Sequence, residues 1–329
     1  MAKKSSIASF PDLRERNRLV RRRNDGEFWK PCPGTTGGYL CCGYQILSPL
    51  TGCGMHCSYC VLQVYFAHQH QVLFTNFGDL AAEVRRKLEA WPRRVVRFGT
   101  GEFADSLYLE DRLGLCRKTA ALLEPYDNVL VECKTKSAAV GSLSRIRRPE
   151  KVVVGFSLNT PPMVQRHEKA TASITERLRA ARQCERMGFW VSFHFDPMLW
   201  YPGWEKDYRA LVDRAFSAIR DPARIAWWSL GGFRTTPSLK TFLGEYGRRT
   251  GLFSGEMVLG QDHKLRYFRP VRVDFYRAMR EQVEKIRPET TLYLCMESPE
   301  VWRDCGMANR IPRGLVACLD DRAIEMLGL

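Results

Sequence analysis

The run Ser48-Pro-Leu-Thr-Gly-Cys53-Gly-Met-His-Cys57-Ser-Tyr-Cys60 places three cysteines within eight residues, spaced C-x3-C-x2-C, just after a short apolar segment. Thiolates this close share one soft inorganic centre, which selects zinc, copper(I) or an iron–sulfur cluster over hard cations. Structural zinc is usually closed by four ligands, commonly from two short cysteine pairs. A [4Fe–4S] cluster held by three local cysteines instead leaves one iron without a protein ligand, open to chemistry.

Outward from this run, the 329-residue chain is long enough for one large α/β domain or two small ones, with 45% hydrophobic residues to form a core. No apolar run reaches the length of a membrane span, and Met1-Ala-Lys-Lys-Ser-Ser lacks the apolar region of a signal peptide. A cytoplasmic location without a membrane partner is therefore expected. The twelve cysteines, in a large chain without an export signal, are expected to be reduced thiols and cluster ligands rather than disulfides. A formal charge of +15 and a pI near 9.4 attract a polyanion, and aromatic residues, at 11%, can stack on bases. Nucleic acid, DNA in the first instance, is the expected partner.

Three regions are expected: a basic N-terminal arm over 1–27, a barrel over 28–305 and a C-terminal helical tail over 306–329. Arg14, Arg16, Arg18, Arg21, Arg22 and Arg23 give the arm its charge, suited to a phosphate backbone or to a solvated tail. The Gly-, Pro- and Cys-rich stretch Trp29 to Gly43 reads as a loop. Its Cys32, Cys41 and Cys42 fit either a second metal site or buried free thiols.

Strands and helices then alternate. Strand patterns cover Tyr44–Leu47, Arg94–Phe98, Asn128–Cys133, Lys151–Phe156, Phe189–Phe195, Ile225–Leu230 and Thr291–Met296. Between them, Leu80, Val84 and Leu88 recur at helical spacing, and Ser173-Ile-Thr-Glu176 is a capping box. Repeated strand–helix units imply parallel strands joined by right-handed crossovers, hence an α/β barrel or partial barrel. Cys53–Cys60, Glu102, Lys134, Ser157, Asn159, Asp196 and Arg234 all fall just past strand C-termini, where such barrels gather their active-site loops. An open doubly wound sheet would collect ligands at the same ends.

The cysteine run, with Tyr59 before the third cysteine, resembles the signature of radical S-adenosylmethionine (SAM) enzymes. More specifically, residues 28–305 resemble the spore photoproduct lyase family. The resemblance is carried by the Cys53/Cys57/Cys60 loop with Leu62-Gln63, Arg97-Phe98 with Asp105, Lys134, Ser157-Leu-Asn159, Tyr201-Pro-Gly-Trp204 with Tyr208, and Phe233-Arg234-Thr235. It implies a partial (β/α)6, TIM-barrel-like fold. It also implies a [4Fe–4S] cluster on Cys53, Cys57 and Cys60, SAM as cofactor, and a reductant such as flavodoxin or ferredoxin. The implied activity is a lyase reaction of DNA repair: a 5′-deoxyadenosyl radical abstracts hydrogen from a thymine dimer and triggers its reversal.

Gly99, Gly101 and Glu102 look like the glycine–acid loop that binds SAM, with Lys134, Ser157 and Asn159 beside it, while Arg234 and the Arg21–Arg23 run would meet the substrate. In the family a cysteine after the second strand quenches the product radical; Glu102 stands at the aligned position, and Val61 replaces a tyrosine after the third cysteine. Catalytic roles are therefore expected for Tyr59, Glu102 and, as replacement hydrogen donor, Cys133 on the neighbouring strand. Three readings from two classes stay open: a DNA repair lyase, a radical SAM enzyme acting on RNA, a nucleotide or a peptide, and a non-enzymatic metal-bearing nucleic-acid binder.

Overall fold

The computed structural model describes residues 13–34, 37–245 and 250–329. Its centre is one eight-stranded sheet: β1 (Trp29–Pro31), β2 (Gln45–Leu47), β3 (Val96–Gly99), β4 (Val129–Thr135), β5 (Val152–Ser157), β6 (Trp190–Met198), β7 (Ile225–Gly232) and β8 (Leu292–Leu294). The strands lie side by side in chain order, and the two end strands do not pair with each other. The sheet curls into a half-barrel with an open side. Every neighbouring pair is parallel except β1 with β2, which is antiparallel. Strands β2 to β7 are the six of the expected partial barrel, and β8 adds a seventh parallel strand.

Covered on both faces, these strands are apolar runs rather than alternating ones; every residue of β5 and β7 is buried. Helices coat the convex face: α1 (Phe77–Glu89), α2 (Leu115–Leu123), α3 (Ile174–Arg186), α4 (Trp204–Ala218), α5 (Arg269–Ile286) and α6 (Leu315–Leu327). The repeat predicted from spacing is the buried stripe Leu80, Val84 and Leu88 of α1. Helix α3 opens with the expected reciprocal capping box between Ser173 and Glu176. Helices α4 and α5 meet through perpendicular rings of Trp204 and Phe275, 4.5 Å between centroids.

The C-terminal helix and the described part of the basic arm are both built into the molecule. Helix α6 buries Leu315, Leu319, Ala323 and Met326, and Arg97 of β3 pairs with its Asp320 at 2.8 Å. Part of the basic arm, residues 1–12, lies outside the described residues. The remainder is not a solvated tail: Leu19–Arg22 forms a strand parallel to Gln71–Phe74, which pairs antiparallel with Leu50–Thr51. This small sheet ties the arm to the segment that leads into Cys53. Arg21, Arg22 and Arg23 are exposed on it, with Arg22 over the Phe74 ring and Arg23 paired with Asp79. Among the described residues no helix is long and apolar enough to cross a membrane.

Candidate active site

The cysteine loop leaves β2 at the C-terminal mouth of the half-barrel and is held from three sides. Gly52 adopts φ +82°, and a Cβ there would lie 2.9 Å from the His70 carbonyl oxygen, so only glycine lets the chain enter the loop. From within, the buried Gln63 amide nitrogen sits 3.1, 3.1 and 3.2 Å from the carbonyl oxygens of Cys57, Ser58 and Cys60. Arg16 of the arm donates to the Gln63 side-chain oxygen Oε1 at 3.3 Å. Along the flank, the Ser58 hydroxyl meets His167 Nδ1 at 2.8 Å, and the Ala170 N–H donates to Met55 O at 3.1 Å.

Beneath the loop, the Tyr59 hydroxyl donates to the buried Glu168, which pairs with the fully buried Arg177. Arg177 in turn donates to the carbonyl oxygens of Ser157, at 2.8 Å, and Ala172, at 2.9 Å. Burial alone would raise the Glu168 carboxyl, but the charges of Arg177 and Lys136 hold it below the ordinary carboxylate range. Gln63→Leu is expected to lower stability by about 1 to 3 kcal/mol, because carbonyls folded around an amide lose their donor inside the protein. An unchanged urea midpoint would show that these carbonyls find other partners.

A cavity of about 370 Å³ opens at this mouth, the size of a cofactor site. Cys53, Cys57, Tyr59 and Cys60 line one wall. Gly101, Glu102, Lys134, Ser157, Asp196 and Arg234 line others, so most residues predicted from strand ends converge on one space. Lys134 Nζ lies 2.6 Å from Glu102. Burial works against the Lys134 charge, yet the facing carboxylate raises its pKa above the ordinary lysine value. Gly101 has no room for a side chain, since a Cβ would come within 2.7 Å of Lys134 Cβ. Arg234 grips Asp196 through two nitrogens, at 3.1 and 2.9 Å, and keeps that carboxyl low despite its burial. Asp105 shapes the adjoining loop by accepting from the N–H groups of Leu107, Tyr108 and Lys136 and from the Thr135 hydroxyl.

Four expectations differ from the arrangement seen. Cys133 does not reach the cavity. Side chains alternate along β4, Glu132 and Lys134 face inward, and Cys133 therefore points to the helical layer, where it is fully buried in a disulfide with Cys116 of α2. This pair also departs from the expectation of uniformly reduced thiols. Asn159 lies off the cavity lining: its amide donates to Pro197 O at 3.0 Å, and its oxygen accepts from the Tyr208 hydroxyl at 2.7 Å and from the Thr160 N–H at 2.9 Å. Gly99 lies off the lining too, against the Tyr44 ring. Tyr59 presents its ring to the cavity while its hydroxyl is committed to Glu168, so its visible role is that of a wall and a clamp.

Sequence reasoning missed the floor. Glu132, 3% exposed, accepts hydrogen bonds from the Tyr44 and Ser192 hydroxyls, from Trp227 Nε1 at 3.1 Å and meets His194 Nε2 at 2.7 Å. Its signal was present as one carboxylate inside the apolar strand Val129–Thr135. Burial would raise its pKa, but His194 and the hydroxyl donors bring it down to about 2 from an ordinary 4.5. A lowered folded-state pKa contributes stability that is present above the unfolded value and lost as pH falls through the folded one. Unfolding free energy should therefore fall by roughly 3 kcal/mol on this account between pH 4.5 and 2. Glu132→Gln should flatten that part of the pH profile; an identical slope would assign the acid sensitivity to other carboxylates.

The parallel half-barrel, the thiol loop and the charged strand ends define an α/β-barrel protein with a thiol-rich polar cavity at its C-terminal mouth. A family model for spore photoproduct lyase matches residues 42–235, and the chain belongs to the spore photoproduct lyase family. The spore photoproduct lyase of Clostridium acetobutylicum is 24% identical over 203 residues, 61% of this chain and 57% of that one. That of a Geobacillus species is 25% identical over 159 residues, 48% of this chain and 47% of that one. The chain thus spans about half the length of these relatives. In three dimensions it is similar to a spore photoproduct lyase variant solved with bound AdoMet and dinucleoside spore photoproduct, with TM-score 0.76, 20% identity, and coverage of 86% of this chain and 84% of that one.

Proposed function

We propose that this chain is a radical SAM lyase that acts on a thymine-dimer lesion in DNA. The observation that carries this is the meeting, in one cavity, of three thiols from a single loop with the charged pairs Glu102–Lys134 and Asp196–Arg234. The donor set fits a [4Fe–4S] cluster. All three thiols line the cavity, and burial, followed by Asp105 and Cys60, pushes the Cys53 thiol up to about 12, so thiolates there call for a cationic centre. Among the described residues no group of three His, Cys, Asp or Glu is placed to hold a metal ion, whereas a cluster asks each thiolate for its own iron. The cluster, when bound, supplies the electron that cleaves SAM to methionine and a 5′-deoxyadenosyl radical.

The protein's part is to bind, orient and shield. Glu102, paired on one side with Lys134, would hold the amino group of SAM with its carboxylate. The Tyr59 ring, with Lys136 Nζ 5.7 Å from its centroid, would form part of the wall around the bound cofactor. The bidentate Asp196–Arg234 pair holds a guanidinium at the cavity, where it would meet a substrate phosphate or base. The exposed Arg21–Arg23 run and the charge of +15 favour a polyanionic substrate. Flavodoxin or ferredoxin would deliver the electron, as expected of a cytoplasmic enzyme.

A second reading, the same radical chemistry on RNA, a nucleotide or a peptide, is favoured by Glu102 and Val61 at positions where the family carries cysteine and tyrosine. The deciding experiment supplies anaerobically reconstituted protein with SAM, dithionite and either dinucleoside spore photoproduct or undamaged dinucleotide. Lesion-dependent thymidine release supports the first reading; SAM cleavage without turnover of any thymine lesion moves the second to first place. Glu102→Gln should weaken SAM binding about ten- to a hundredfold, the loss of one charge-assisted hydrogen bond. Unchanged affinity would return Glu102 to a structural role.

A further inference from the structure

Four more cysteines gather at the same cavity. Cys32 and Cys42 come from the loop between β1 and β2, and Cys295 from the end of β8; all three line the cavity that holds Cys53, Cys57 and Cys60. Cys41 is in side-chain hydrogen-bond contact with both Cys32 and Cys42. Cys295 lies close enough to add to the electrostatics of both and accepts from Arg234 Nη2 at 3.2 Å. The 32–42 loop is pinned in this position: the Cys32 N–H donates to Tyr44 O at 3.1 Å, and the Leu40 N–H donates to Glu297 O at 2.9 Å.

The surroundings of Cys32, Cys42 and Cys295 favour the neutral thiol over the thiolate. The contact with Cys41, then burial, Glu102 and Cys295 all raise the Cys32 pKa, and burial pushes Cys295 up to about 12. A neutral thiol is a poor nucleophile but a good hydrogen-atom donor, because its S–H bond is weaker than the C–H bond it makes at carbon. Three other candidate donors are engaged or remote: Tyr59 donates to Glu168, Tyr44 donates to Glu132, and Cys133 is bonded to Cys116 on the outer face of β4.

Resting on the radical reading above, we propose that Cys32 is the hydrogen-atom donor to the carbon radical formed on the substrate, with Cys41, Cys42 and Cys295 as a thiol reserve around it. Cys32 is singled out because it lines the cavity and is partly exposed, with Cys41 beside it. Cys42 is buried, and Cys295 is tied by its sulfur to Arg234. In the step, the Cys32 S–H bond breaks homolytically and one C–H bond forms on the substrate, leaving a neutral thiyl at Cys32. One electron from the external low-potential reductant that feeds SAM cleavage, and one proton from water, restore the thiol.

The test runs the cluster-loaded full chain with SAM, dithionite and dinucleoside spore photoproduct in D2O, where S–H exchanges with solvent and C–H does not. Solvent deuterium should enter the repaired product of the wild type. In Cys32→Ala, and in Cys32→Ser as a fold-preserving control, deuterium in product per 5′-deoxyadenosine formed should drop at least tenfold, with dithionite-derived adducts appearing instead. Undiminished label in both variants overturns the assignment while leaving the lyase reading intact. Absence of any lesion turnover by SAM-cleaving wild type defeats the lyase reading and the inference together. A readout independent of turnover is anaerobic diamide treatment followed by peptide mapping, which should join Cys32 to Cys41; recovery of both as separately alkylated thiols overturns the cluster of thiols. Iron and sulfide retained by a protein with Cys53, Cys57 and Cys60 all changed to Ala would show that the second set holds metal, and would also overturn it.

Discussion

Cys57→Ala will yield a folded protein that, after anaerobic reconstitution, lacks the broad visible absorbance of an iron–sulfur cluster and cleaves SAM no faster than the buffer control. Cys57 is buried at the cavity wall, between Cys53 and Cys60 in the loop, and in the proposed cluster each thiolate would hold an iron of its own. Alanine leaves the loop backbone in place, because the carbonyls of 57, 58 and 60 are held by Gln63 rather than by the thiol. Loss of colour with an unchanged far-UV spectrum is therefore the expected pair of observations. Retained SAM cleavage would sink the ligand assignment for the whole run.

Arg177→Met should be the most damaging change outside the thiols, lowering stability by about 3 to 5 kcal/mol. It strands the Glu168 carboxylate, 5% exposed, without its counter-charge, and such a group costs far more than the pair contributed. It also removes donors from the carbonyl oxygens of Ser157 and Ala172, loosening the ledge under the cysteine loop. Adding Glu168→Gln to Arg177→Met should recover part of the loss, since the uncompensated charge disappears. Urea unfolding of the apo-protein measures both. A loss under about 1 kcal/mol for the single change would mean that water reaches Glu168, and the clamp argument would fall with it.

The cysteine loop, the alternation of strands and helices, and the gathering of Glu102, Lys134, Asp196 and Arg234 at strand ends were legible in the chain because each is a local property. Ligand spacing is set along the backbone, helical faces repeat every three to four residues, and a polar residue after an apolar strand marks the mouth of a barrel. The orientation of each strand about its own axis was not legible. In β4, Val129 to Cys133 are buried on both faces, so hydrophobicity does not alternate and gives no sign of which parity looks inward.

Contacts between distant segments resolved that ambiguity. Lys134 meets Glu102, Glu132 meets Tyr44, Ser192, His194 and Trp227, and Cys133 is left for Cys116. The same holds for the basic arm, which reads as charge in the chain but becomes a strand once Gln71–Phe74 offers it an edge. It holds again for the second thiol set, where Cys32 and Cys42 meet a cysteine from β8. No short-range pattern records such a meeting, because it exists only after the whole half-barrel has curled and brought its first and last strands to one cavity.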